Sequence, residues 1–147
     1  MDMKLEVVLL PVSDVNRAKR FYEQWGCRLD ADFDISEDFR IVQVTPPGSE
    51  CSIIFGKGLT TAEPGSFQGL QLTVFDIEKA REELTSSGVD VSEIFHDAEG
   101  AFHHAGTASR ALGPDPEGRP YYSFASFSDP DGNGFLIQEV KERAPGR

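Results

Sequence analysis

The chain has 147 residues and a formal net charge of −11. A chain of this length can bury a core without a structural metal or disulfides. The negative charge argues against binding to nucleic acid or to an anionic membrane surface. Cys27 and Cys51 lack the spacing of a metal site, and no stretch resembles a targeting peptide or a transmembrane segment. We therefore expect a soluble cytoplasmic protein.

The first 56 residues predict a β-α-β-β-β module. An apolar run at 5–12 is typical of a buried strand, and Ser13 or Asp14 is a suitable N-cap for a helix that ends at Gly26. Two further strands are predicted at 27–33 and 39–45, and a last one at 51–55. Residues 57–68 are rich in Gly, Thr and Pro, which indicates a linker.

The pattern then repeats in residues 69–141, and residues 142–147 form a polar tail. Asp14 aligns with Asp76 and Gly26 with Gly88 at an offset of 62 residues, whereas the Pro and Gly of the last turn align at an offset of 84. The second module therefore carries about 22 extra residues by this alignment, between strands predicted at 89–94 and 121–127. We assign the insertion to a loop at 95–120, and a loop this long is often functional.

The turn Asp129-Pro130-Asp131-Gly132-Asn133 joins two apolar strands near the end of the chain. Together with the duplicated module, the Asp after each first strand and Phe21-Tyr22 on the first helix, it resembles the vicinal oxygen chelate superfamily. That group includes glyoxalase I, bleomycin-resistance proteins, extradiol dioxygenases and fosfomycin-resistance enzymes. The resemblance implies an α+β fold, two tandem β-α-β-β-β modules with curled mixed sheets around a cavity, and a homodimer.

In this superfamily a divalent metal is commonly held by side chains on the first and last strands of each module. The resemblance maps those positions onto Val7, Ser52, Gly69 and Leu136. Hydrocarbon side chains cannot bind a metal and a serine is a poor ligand. The sequence therefore predicts that the usual metal site, and with it metal-dependent glyoxalase or dioxygenase chemistry, is absent.

Several side chains are candidates for binding a small molecule in the cavity. Amides on the strands could orient a polar group, aromatic rings could stack on a planar ligand, and residues of the inserted loop could cover it. The same aromatic residues also suit an ordinary core. The predicted ligand-binding residues are Gln71, Gln138, Phe55, Tyr122, Phe127, His103 and Arg110.

All three histidines lie in the inserted loop, and His96 is the candidate catalytic base because it follows a strand. A relocated divalent metal would use His96, His103, His104 and Glu139. Solvated loop histidines are the alternative interpretation. The leading hypothesis is a metal-independent protein that binds or sequesters an aromatic or amphipathic molecule. A lyase or isomerase of the same superfamily, and a fold kept only for protein interaction, remain alternatives.

Overall fold

The structure is a computed structural model that describes all 147 residues. The chain divides into two compact units, of which the first comprises Met1–Gln68 and Ser128–Gly134 and the second comprises Gly69–Phe127 and Phe135–Arg147. The first boundary falls at the end of the predicted linker. The turn of the last hairpin belongs to the first unit, although most of the two strands that it joins belongs to the second.

The first unit is a four-stranded mixed sheet with one helix. Its strands are β1 (Val7–Leu9), β2 (Arg28–Ser36), β3 (Phe39–Thr45) and β4 (Ser52–Lys57), in the spatial order β1-β4-β3-β2, and helix α1 covers Val15–Gln24. Strands β1 and β4 run parallel, and the other pairs are antiparallel. The predicted β-α-β-β-β order is confirmed, and Tyr22 and Phe55 stack at 5.3 Å in the core between helix and sheet.

The second unit is a five-stranded mixed sheet with one helix. It contains β5 (Leu70–Val74), α2 (Ile77–Ser86), β6 (Phe95–Asp97), β7 (Arg110–Leu112), β8 (Phe124–Ser128) and β9 (Gly134–Glu139). The spatial order is β5-β9-β8-β6-β7, so β7 is an added strand at the edge of the sheet. The inserted segment therefore forms a short antiparallel hairpin, in which Phe95 of β6 lies opposite Leu112 of β7.

Both helices begin where the sequence predicts. Asp14 accepts a hydrogen bond from the Arg17 amide at 3.0 Å, and Asp76 accepts one from the Lys79 amide at 3.1 Å. Each aspartate satisfies a backbone N–H that has no partner within its helix. Neither helix is long and apolar enough to cross a membrane.

The strand predicted at 89–94 does not form there. The Val89 amide donates to the Leu84 carbonyl and so still closes the end of α2, and the Ser92 carbonyl accepts from the Arg81 side chain. These backbone groups are therefore unavailable to a strand ladder, and the strand starts only at Phe95. The strand predicted at 121–127 also starts later, at Phe124, because Tyr121 has a φ of 74°.

The hairpin turn of the first unit is organised by Asn133, whose side chain is completely buried. Its Nδ2 donates to the Pro11 carbonyl and to Asp129 Oδ2, both at 2.8 Å, and its Oδ1 accepts from the Phe67 amide at 3.1 Å. Tyr22 donates its hydroxyl to the same Asp129 oxygen at 2.9 Å. Two separate stretches of chain, at Pro11 and at Phe67, are therefore joined to the turn by one amide.

The predicted linker packs against this turn. The Gly65 amide donates to the Pro11 carbonyl at 3.1 Å, and its φ is +79°. A Cβ atom at this position would lie 1.9 Å from the Asp131 carbonyl oxygen, which no side chain could tolerate. Residues 57–68 are thus part of the first unit.

Replacing Asn133 by aspartate is expected to lower the free energy of unfolding by on the order of 3 kcal/mol. The substitution puts a carboxylate oxygen against the Pro11 carbonyl and the Asp129 carboxylate, where the amide now donates. Urea denaturation measures the loss. Asn16→Asp is the matched control, because the exposed Asn16 accepts from Arg40 and an aspartate can still do so. Equal stability of the two variants would contradict the role of the buried amide.

A second anchor lies in the inserted segment, where Asp115 has a buried side chain. Its carboxylate accepts from the Arg119 amide, Nε and Nη2 at 2.8, 3.0 and 2.8 Å, and its own amide donates to Ser123 Oγ at 2.9 Å. The hydrogen bonds from Arg119 lower the pKa of Asp115 to about 2. The end of the inserted segment, just before β8, is therefore a loop that is held in place by a charged, hydrogen-bonded pair of side chains.

The stabilisation from Asp115 is expected to be lost in acid. A carboxyl group whose pKa falls from 3.8 when unfolded to about 2 when folded stabilises the protein above pH 3.8, and the contribution disappears as the pH falls through about 2. Denaturation curves across this range should show a component that Asp115→Asn removes. The exposed Asp90→Asn variant should retain it, and an unchanged pH dependence in Asp115→Asn would refute the assignment.

Candidate functional site

The second sheet has one face that α2 covers and one that it does not. Glu139 Oε2 accepts from the first amide of α2, that of Ile77, at 3.0 Å, and Phe127 stacks on Phe135 at 4.8 Å on the same side of the sheet. Because side chains alternate along a strand, Phe124, Ser126, Leu136 and Gln138 lie on the opposite side. We call this side the open face of the second unit.

Two predicted ligand-binding amides meet on the open face. Gln71 lies opposite Leu136 in the parallel pair of β5 and β9, and its Nε2 donates to Gln138 Oε1 at 3.4 Å. Gln138 is buried and donates in turn to the Tyr121 carbonyl at 2.9 Å. The buried amide is thus fixed in orientation, whereas the exposed Gln71 side chain can reach a molecule on the face.

The inserted segment covers the aromatic part of this face. The Arg110 guanidinium lies 3.9 Å from the Phe95 ring centroid and donates to Ser126 Oγ at 3.2 Å. Phe95 stacks on Phe124 at 5.7 Å, and the exposed His103 ring meets the edge of Phe124 at 5.6 Å. Burial lowers the pKa of Arg110, because removal from water disfavours the charged form.

A second aromatic group lies in the same segment. Tyr122 packs against Phe102 at 5.7 Å, and the Arg119 guanidinium lies 4.2 Å from the Tyr122 centroid. Phe102 is 56% exposed and so is accessible to a ligand. Sequence reasoning missed Phe95 and Phe102, although the neighbouring histidine in the predicted loop was a signal for the latter.

Two predicted aromatic ligand-binding residues lie elsewhere. Phe55 is completely buried against Tyr22 in the first unit, and Phe127 lies on the α2 side of the second sheet. His96 also differs from His103, because it alternates with Phe95 along β6 and its Nδ1 lies 2.9 Å from the Gly113 carbonyl. The open face therefore brings together Gln71, Gln138, His103 and Arg110, but not these three residues.

The residues predicted for a relocated metal have separate partners. Glu139 caps α2 through Ile77, His96 contacts the Gly113 carbonyl, and His103 packs on Phe124. His104 instead joins Asp97 and Glu99 in a cluster whose ligand atoms all lie within 4.8 Å of one another. Neither carboxylate was singled out from the sequence, because their meeting with His104 depends on how the loop folds.

The four positions that correspond to the superfamily's metal ligands lie on paired strands in the first unit but are out of register in the second. Val7 and Ser52 are Cα partners in the parallel pair of β1 and β4, as adjacent ligands would be. In the second unit Leu136 lies opposite Gln71, whereas Gly69 precedes β5. The strand register thus shifts the cross-strand partner of Leu136 from the predicted glycine to an amide.

The first unit has an open polar groove with a volume of about 750 Å³. It lies between the start of α1 and the β2–β3 hairpin, and its lining includes Asp34, Glu37, Asp38 and Arg40. Arg40 donates to both carboxylate oxygens of Asp32, at 3.0 and 2.8 Å, so its charge is already neutralised there. The groove is acidic and contrasts with the aromatic open face.

Comparison with known proteins assigns the fold to a family. The family model described as "Glyoxalase/Bleomycin resistance protein/Dioxygenase superfamily" matches residues 4–137. Comparison with the curated proteins gave no match.

Three solved structures illustrate the similarity. TnmS3, an antibiotic binding protein from Streptomyces sp. CB03234, is 29% identical, with 95% of this chain and 97% of that chain covered and a TM-score of 0.68. A glyoxalase/bleomycin resistance protein from the same organism is 30% identical over 92% of this chain and 100% of that chain, with a TM-score of 0.65. A superfamily member from Sphaerobacter thermophilus DSM 20745 is 26% identical over 94% and 98%, with a TM-score of 0.68. This chain belongs to the glyoxalase/bleomycin resistance protein/dioxygenase superfamily.

Proposed function

We propose that the protein binds and sequesters a small aromatic or amphipathic molecule on the open face of the second unit. The observation that carries the proposal is the layered contact of Arg110 and His103 with Phe95 and Phe124, next to the Gln71–Gln138 pair. Phe95 and Phe124 are buried beneath the guanidinium and the imidazole, so a planar ligand would pack on those two groups, and the nearby Gln71 amide can orient its polar groups.

The residue types at the superfamily's metal positions support binding without a metal there. Val7 and Leu136 carry hydrocarbon side chains, Gly69 has none, and Ser52 Oγ lies 2.7 Å from Thr45 Oγ in a neutral pair. Zinc and related ions bind to imidazole, thiolate or carboxylate groups. We infer that reactions that use this metal as a Lewis acid are not the function of this chain.

The similarity to TnmS3 supports a binding role, because that protein is described as an antibiotic binding protein. The molecule bound here is proposed only by its chemistry, namely a planar apolar body with a polar or anionic edge. The protein's two free cysteines fit a reducing cytoplasm, where sequestration of a toxic molecule would protect the cell.

Acid–base catalysis on the bound molecule is the second candidate function. His103 contacts the open face and is exposed, so its imidazole could exchange a proton with a ligand there. A lyase or isomerase would consume the molecule, whereas a sequestering protein would return it unchanged. Mass spectrometry of a candidate ligand recovered after prolonged incubation distinguishes the two functions.

Replacing either of two exposed residues of the open face is expected to weaken ligand binding by about fivefold to tenfold, the loss of one hydrogen bond or ring contact. The variants are Gln71→Ala and His103→Ala. The probes are neutral 1-aminoanthracene and anionic 8-anilinonaphthalene-1-sulfonate, titrated by fluorescence.

His96→Ala is the matched control, since His96 contacts a backbone carbonyl away from the open face and should leave probe binding unchanged. A ligand-binding site elsewhere would be indicated if both open-face variants bound the probes as the native protein does. An increase in the minimum inhibitory concentration of an aromatic antibiotic, seen on expression in a sensitive bacterium and lost in the variants, would establish sequestration in the cell.

We also propose that the chain forms the homodimer that the resemblance implies. The edge strand β2 carries exposed Phe33 and Ile35, at 59% and 65% exposure, which a solvated edge would not favour. Sedimentation equilibrium should give twice the chain mass, and Phe33→Ser should shift the equilibrium toward the monomer. Phe75→Ser, at a 70% exposed position of the second unit, is the control. A native protein that sediments as a monomer would refute this proposal.

A further inference from the structure

The inserted segment contains a cluster of metal-ligating groups that the proposed ligand site does not use. Asp97 ends β6, and Glu99 and His104 follow it in the loop. One ligand atom from each lies within 4.8 Å of the others. None of the three occupies a strand position at which the superfamily holds its metal.

Asp97 fixes the orientation of the His104 ring. Its Oδ2 lies 2.5 Å from His104 Nδ1, and its Oδ1 accepts from the Glu99 amide at 2.8 Å. The Asp97 side chain is only 2% exposed, so both oxygens are engaged by protein groups rather than by solvent. Nδ1 therefore donates to Asp97, and Nε2 is the ring nitrogen that can exchange its proton for a metal ion.

The Nε2 side of the His104 ring faces a second carboxylate. His104 Nε2 lies 3.0 Å from Glu99 Oε2, and the two side chains are 37% and 67% exposed. Two ligand atoms at this separation can both lie about 2.0–2.2 Å from one zinc ion. Their exposure gives an ion direct access from solvent and leaves room for water on the remaining coordination positions.

We propose that His104 Nε2 and the Glu99 carboxylate bind a divalent transition metal, with Zn²⁺ the best match, and that Asp97 is the positioning residue that orients the imidazole. A carboxylate that accepts the second N–H of a ligating histidine is a recurrent feature of zinc sites. The bound ion would hold together the loop that carries Phe102 and His103.

The test uses the full chain without an affinity tag, after treatment with a chelator. Titration with Co²⁺ should produce visible absorption bands that saturate at one equivalent per chain, and added Zn²⁺ should abolish them by competition. His104→Ala and Glu99→Gln are expected to eliminate the bands. Asp97→Asn should retain them but weaken binding by about 10- to 100-fold.

Two variants separate the loss of a metal ligand from other effects of substitution in the inserted segment. His96→Ala removes a histidine of the same segment that has a different partner, and should leave Co²⁺ binding unchanged. Glu99 is largely exposed, so Glu99→Gln tests ligation even if Asp97→Asn loosens the loop. The proposal is overturned if the native protein gives no Co²⁺ bands; the cluster would then be only an imidazole hydrogen-bonded between two carboxylates. It is also overturned if Co²⁺ binding survives in both ligand variants. Probe binding to the open face is measured separately, so each result stands alone.

Discussion

The buried amide of Asn133 is the constraint on which the first unit depends. It joins the end of the first strand at Pro11, the segment before the second unit at Phe67, and the carboxylate of Asp129. The Pro11 carbonyl also accepts from the Gly65 amide, and Asp129 also accepts from the Tyr22 hydroxyl, so the amide completes a buried hydrogen-bond network. A buried polar atom left unpaired in it would cost about 1–3 kcal/mol. The turn Asp-Pro-Asp-Gly-Asn is thus a structural device first, and its value as a family signature follows from that physical role.

The same turn shows how the two repeats are interwoven along the chain. The chain enters the first unit at Ser128 and leaves it after Gly134, between two strands that lie mostly in the second. The internal repeat is therefore not a simple succession of independent modules. A residue such as Tyr22, which a sequence pattern assigns to one helix face, donates its hydroxyl to Asp129 more than a hundred positions away.

The inserted segment makes the surfaces of the two units chemically different. In the first unit the β2–β3 hairpin borders a polar, acidic groove. In the second unit the added strand β7 and its loop bring Arg110 and His103 onto Phe95 and Phe124. A cation and aromatic rings in contact favour a planar ligand with a polar edge, so the duplicated scaffold offers two different surfaces.

The sequence by itself determined the features that depend on local chemistry. Asp14 and Asp76 mark the helix starts, because an N-cap needs only the backbone three residues on. The repeat also predicts where the insertion lies, but the tertiary structure gives two strands, β6 and β7, in the segment predicted as a loop. Only the tertiary structure decided which side of a sheet each residue occupies, because one shift in register reverses every side chain. It moved the partner of Leu136 to Gln71, and it placed Phe127 on the helix side. The meeting of Asp97, Glu99 and His104 likewise depends on loop closure, which no periodicity or spacing encodes.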